Sequence, residues 1–178
     1  MRALGYQRYR ATGTAMAEFP VMLWFLLVII LFPMINLSTV CLRSYFLYQA
    51  CHNAAVAASK ATSFETSFAP NVSSKDSANQ IATEIAAKWS GVHLTSVTTQ
   101  LVTTDINTLV ETVSNTRLAL PPNVAANNYH VRVTVTGTVD PLLIFNLGIL
   151  GGIPGLTSPI ALTMNDQNFV ENTQGLVR

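Results

Sequence analysis

Charge is what this chain has least of. Asp, Glu, Lys and Arg make up only 11% of its 178 residues while 49% are hydrophobic, against roughly a quarter charged in an ordinary soluble domain. Cysteine is nearly absent too, with Cys41 and Cys51 the only two. Ten residues apart on one helix, they lie about 15 Å from each other along the axis, too far for a mutual disulfide. They read as small apolar side chains, with an intermolecular bridge as the other use. Basic clusters are missing: without Arg2, Arg8 and Arg10, seven basic residues face nine acids, so the counter-ion release that drives nucleic-acid binding has no source. The glycines of 148–155 lack the strand, helix and lysine of a phosphate cradle. His52, His93 and His130 fall on separate elements with no acid pair or cysteine ladder beside them, which argues against a metal site. Asp105, Glu111, Asp140 and Asp166 are scattered and read as solubilising surface charges. Neither a cofactor nor a catalytic role is expected.

The missing charge is concentrated in one place. Phe19 to Leu42 is a run of 24 residues without a formal charge, and about 20 suffice for a helix to cross the hydrocarbon layer. Arg2, Arg8 and Arg10 precede it, which places the start of the chain in the cytoplasm and everything beyond Arg43 outside. The apolar run is too long for an ordinary cleaved signal, and the nearest small-x-small site, Ala55-Val56-Ala57, lies well past Arg43. Cys41 follows Val40, not the small residue that a lipoprotein signal requires. A plain anchor leaves Glu18 unexplained, because a carboxylate drawn deep into the span opposes insertion by up to ~3 kcal/mol.

Gly13 stands five residues before Glu18, in the stretch GTAMAEFP. A short basic leader ending in Gly, with Glu at the fifth position after it, resembles a type IV prepilin. Further along, SYFLYQACHNAAVAASKA supplies Tyr48, Gln49, Ala50, Asn53, Ala54 and Ala55. With Gly13, Glu18 and Phe19, these residues resemble the TadE-like minor pilins, or pseudopilins, of tight-adherence (Tad/Flp) pilus systems. Pro20 departs from that pattern, where Ala is usual, although proline is tolerated in a helix's first turn. The resemblance implies cleavage between Gly13 and Thr14 by a prepilin peptidase. It also implies partners in the membrane, in platform proteins, in the major pilin and other minor pilins, and in further copies of the chain. The localisation implied is the bacterial inner membrane with the C-terminal domain outside, then the cell surface or filament after assembly. Cleavage would free an α-amine on Thr14, largely protonated at neutral pH, which Glu18 of a neighbouring subunit could pair with as a registry device.

The fold class expected is α+β: a long N-terminal transmembrane and stalk helix, then a small domain of one helix packed on an antiparallel sheet of about three to four strands. Residues 1–13 form the leader, 14–61 the helix, 62–74 a linker and 75–178 the extracytoplasmic domain. Leu42 to Ala61 has no Gly or Pro and is rich in alanine, the best helix former. The helix is expected to project as a stalk with a kink at Pro33. Ala50, Ala54, Ala55, Ala57 and Ala58 would let neighbouring helices approach closely. From Lys75 to Ser90, Ala78, Ile81, Ala82, Ile85, Ala86 and Trp89 follow one helical face, with Ser73 or Ser74 as cap and Gly91 as stop.

Val92–Val102 is β-prone but changes phase after Leu94, the mark of a bulge. Tyr129–Val139 alternates cleanly and Ile160, Leu162 and Met164 alternate again. Between the strands, 106–128 reads as a polar loop. Residues 142–158 form an apolar one, broken too often by Gly and Pro to span a membrane. That second loop is either core or a partner-facing surface presenting Phe145, Leu147, Ile149, Leu150 and Ile153. Two functions follow from these readings. The first is a cleaved minor pilin-like subunit built into, or priming, an adhesive Tad/Flp-type pilus. The alternative is an uncleaved, membrane-anchored envelope binding module.

Overall fold

The computed structural model describes residues 11–143 and 152–177, with side chains from Glu18 onward. A nearly unbroken helical rod opens the chain: α1 (Ala11–Leu26), a π-helical turn (Leu27–Leu31) and α2 (Phe32–Ser59). The π turn lies directly ahead of Pro33, whose ring would clash with the carbonyl four residues back in a regular α-helix. There the Phe32 N–H bonds the Leu27 carbonyl, five residues back. The widened turn carries the helix through the proline. Then come α3 (Ser74–Ala87), the strands β1 (Val92–Asp105), β2 (Glu111–Ser114), β3 (Asn127–Val139) and β4 (Ile160–Phe169), and a closing 3-10 turn (Thr173–Val177).

The strands form one antiparallel sheet in the order β2-β1-β3-β4, and the fold is α+β as expected. Within β1 the register slips between Leu94 and Ser96, leaving Thr95 without a cross-strand partner. This bulge explains the change of phase: the extra residue brings Val92, Leu94, Val97, Thr99 and Leu101 onto the face shared by Val139, Gly137, Val135, Val133 and Val131. Gly137 lies opposite the bulge, where an added Cβ would come within 2.6 Å of the His93 carbonyl.

Three expectations are corrected. The C-terminal half of α2 does not project as a free stalk. It lies along β3 and β4, with α3 beside it over β1. Its alanines cause this: Ala50, Ala54, Ala55 and Ala58 are buried together with Ala78, Ala82 and Ala86 of α3 and the valines of β3, because short side chains let helix and sheet come close. The polar loop 106–128 contains a strand, β2, too short for a periodicity signal. And β4 runs on through the polar Asn165–Asn168, since an edge strand on a solvated sheet needs no apolar outer face. The 62–74 segment is tied down, with Phe64 fully buried in the core and the Ser74 hydroxyl donating to the Ala58 carbonyl at 2.8 Å.

The cap of α3 is as expected. Ser73 Oγ accepts from the Asp76 N–H at 3.2 Å. Gly91 takes φ +78 after the helix ends, a left-handed conformation that suits glycine.

Candidate functional site

α2 leads away from the π turn and α3 runs antiparallel to it, so the turn Lys88–Gly91 returns to the level of Phe46. There the Trp89 and Phe46 rings stack with centroids 3.5 Å apart. The start of β1, the end of β3 and the start of β4 meet at the same end, through Val92↔Val139 and Val139↔Ile160. Beyond that end of the domain the helix continues, with the described ends of the loop after β3 held against it.

Arg43 closes the junction. Its Nη1 donates to the carbonyls of Asp140 at 2.7 Å and Pro141 at 3.1 Å, and its guanidinium lies against Gly91, where a Cβ would approach Cζ to 2.5 Å. His93 Nε2 meets Asp140 Oδ2 at 3.0 Å on the exposed rim. Two helical turns earlier, Asn36 is fully buried. Its Nδ2 donates to the carbonyls of Leu143 (3.1 Å) and Leu156 (2.9 Å), and its Oδ1 accepts from the Leu143 N–H at 3.1 Å. One amide thus clamps both described ends of the apolar loop to the rod.

From Glu18 to Ile35, no side chain on the rod is buried. One helix among the described residues, Glu18–Ser59, is long and apolar enough to cross a membrane. The part of it without a buried side chain, Glu18–Ile35, measures about 27 Å at the α-helical rise, close to the ~30 Å hydrocarbon thickness. The clamp at Asn36 begins where that length runs out.

The residues singled out in the sequence are distributed as follows. Gly13 and Thr14 lie inside α1, with side chains outside the described set. Glu18 and Phe19 are exposed on the rod. Ala50, Ala54, Ala55 and Ala58 are covered by their own domain, and Ala57 is half-buried. The helix that approaches Ala50, Ala54, Ala55 and Ala58 in this structure is the chain's own α3, with its sheet beside it. Phe145, Leu147, Ile149 and Leu150 lie outside the described residues, and Ile153 is exposed.

Asn36 and Arg43 were not anticipated. Asn36 had a signal in being the only amide in the apolar run Phe19–Leu42, and a polar group there needs a partner. The pair His52–Asp166, 2.6 Å apart, joins α2 to β4 across 114 residues, beyond the reach of any local pattern. Both described cysteines are free, Cys41 exposed and Cys51 buried, with the Cys51 thiol donating to the Val133 carbonyl at 3.3 Å. Among the described residues no three His, Cys, Asp or Glu side chains gather as metal ligands. On the solvated sheet face Arg132 pairs with Glu111 at 2.9 Å and donates to Gln167 at 3.0 Å, in an open, shallow depression shared with Asn165. Comparison with family models, curated proteins and solved structures yields no match.

Proposed function

We propose that this chain is a minor pilin-like structural subunit of the TadE kind, cleaved after Gly13 by a prepilin peptidase. It is then assembled into a Tad/Flp-type pilus used for surface adhesion, or primes that pilus. The observation that carries the reading is the apolar rod of Glu18–Ile35, on which no side chain is buried; it begins five residues after Gly13 and ends where the folded domain closes on the same helix. A subunit that leaves the bilayer for a filament needs a helix that lipid covers first and other helices cover later. A rod on which none of the described side chains from Glu18 to Ile35 is buried meets that need. The carboxylate of Glu18 at its start is a cost to a simple anchor and a use to an assembling one.

The covered alanines favour the second reading, an uncleaved anchored binding module, in one respect: Ala50, Ala54, Ala55 and Ala58 are buried under the chain's own domain and so are not open to a filament neighbour. Processing separates the two. The mature chain should begin at Thr14, and Gly13→Leu should abolish cleavage, because the peptidase must fit the residue before the scissile bond. Amino-terminal sequencing of the membrane-bound protein checks this. A mature chain that retains Arg2 to Gly13 would leave the anchored module as the function.

A further inference from the structure

The apolar loop after β3 approaches the rod at the level of Asn36, beyond the domain's own core. Leu142 and Leu143 are 50% and 52% exposed and Ile153 is 42% exposed. The Asn36 amide ties the backbone of Leu143 and Leu156 to the rod at this level, where Met34 and Leu37 of the rod are themselves exposed. From Pro141 to Asn165 the chain carries no charged residue. The charges nearest this end, Arg43, Lys88, His93 and Asp140, all belong to the junction farther up α2 or to the sheet.

Among the described residues, the turn 153–158 closes on its own backbone and Asn36 takes up the Leu143 and Leu156 groups. The N–H groups of Leu156, Thr157 and Ser158 converge on the Ile153 carbonyl at 3.1, 2.9 and 3.3 Å. The Ile153 N–H donates to Thr157 Oγ1 at 2.9 Å, and the Gly155 N–H donates to the Ser158 carbonyl at 2.8 Å. Irregular backbone survives near hydrocarbon only when its polar groups are paired in this way.

We propose that Leu142, Leu143, Ile153 and Pro154 form an apolar collar that rests in the boundary between headgroups and acyl chains of the bilayer the helix crosses. The collar seats the domain directly on the membrane. Depth supports this occupant over a second protein: 20 residues from Phe19 reach Ser38, about one hydrocarbon thickness, so the collar lies where that layer ends. Amphipathic elements at this boundary bury their apolar side by roughly 5–10 Å, and the charges of the Arg43 junction stay above it.

The inference rests on the helix being a span, and the test keeps the two separate. Full-length protein with Cys41→Ser, and with buried Cys51 left in place, receives one of four further substitutions: Met22→Cys, Leu142→Cys, Ile153→Cys or Lys60→Cys. Each is labelled with an environment-sensitive fluorophore and reconstituted in phosphatidylethanolamine/phosphatidylglycerol vesicles carrying shallow or deep spin-labelled lipids. Deep labels should quench at Met22. Shallow labels should quench at Leu142 and Ile153 several-fold more than at Lys60, which lies at the far end of α2. Quenching at Leu142 and Ile153 no greater than at Lys60, with Met22 quenched, would overturn the collar while keeping the span. Blue-shifted but unquenched probes at both loop sites, at every lipid dilution, would overturn it in favour of a second copy of the chain. An unquenched Met22 would remove the span, and the collar with it.

Discussion

Asn36 concentrates more of the architecture than any other side chain in the rod. A primary amide has two donors and an acceptor with two lone pairs, and here three of its bonds go to backbone groups more than 100 residues away. Replacing it by leucine fills a similar volume but leaves two carbonyls and one N–H without these partners. Each buried group so orphaned costs about 1–3 kcal/mol. Asn36→Leu should therefore lower the melting temperature of the detergent-solubilised protein by about 5–10 °C and expose residues 141–158 to protease. Unchanged melting and unchanged cleavage would mean that the clamp is not what holds the loop. Arg43 works differently, since its guanidinium fills the space that Gly91 leaves and bonds the carbonyls that end β3. It is a fastening between helix and sheet, although a lone arginine after an apolar run reads first as a topology charge.

At the scale of the element, α3 shows how a helix is held at both ends and along one face. Its start is a small polar knot: the hydroxyls of Ser67 and Ser73 donate to the Asp76 carboxylate, and the Asp76 N–H returns to Ser73 Oγ. Those two hydroxyls hold the Asp76 carboxyl below its ordinary value, Ser67 contributing most. The sign follows directly. The folded form binds the proton less readily than the unfolded chain, so the stabilisation is fully present above the unfolded value near 3.9 and is lost as pH falls through the folded one. Asp76→Asn should thus be less stable than the parent at neutral pH, and the difference should shrink steadily below about pH 4. Denaturant melts of both proteins across that range check it, and a pH-independent difference would assign the effect to packing. Along the helix, Ala78, Ala82 and Ala86 face the core, while Ile81 and Ile85, read from periodicity as equal members of that face, are only half-buried. The close approach of α2 selects the smallest side chains for the centre of the contact and leaves the larger ones at its margins.

On the scale of the whole molecule, a folded domain packs on the far half of a rod whose near half, from Glu18 to Ile35, has no buried side chain. Glu18 begins that near half, exposed on the rod, five residues past the proposed cleavage point. If its carboxylate meets the Thr14 amine of an adjacent subunit, Glu18→Ala leaves a charge uncompensated in an apolar bundle. The variant should insert in the membrane and be cleaved like the parent, yet disappear from sheared filaments. Measuring membrane content, leader removal and filament yield on one culture checks this, and normal filament incorporation would discard the registry role. For an anchored module, removal of the charge should ease insertion and leave function unchanged.

Local pattern was enough for the rod, the cap and stop of α3, the alternating face of β3 and the bulge in β1, because each is written in residues that are neighbours along the chain. A span is a count of uncharged residues and a strand is a period of two, and neither requires knowledge of what lies opposite. Pattern could not say what covers the alanines of 50–58. An alanine-rich face reports only that something can approach closely, and a sister subunit and the chain's own sheet satisfy it equally. Tertiary structure decided that in favour of the sheet and α3. It also decided the partners of Asn36, Arg43 and His52, through contacts that join residues about 100 positions apart and leave no periodic trace. The apolar loop shows the same division: its lack of charge was plain from composition, but the attachment of its described ends, Leu143 and Leu156, to the rod came from one buried amide.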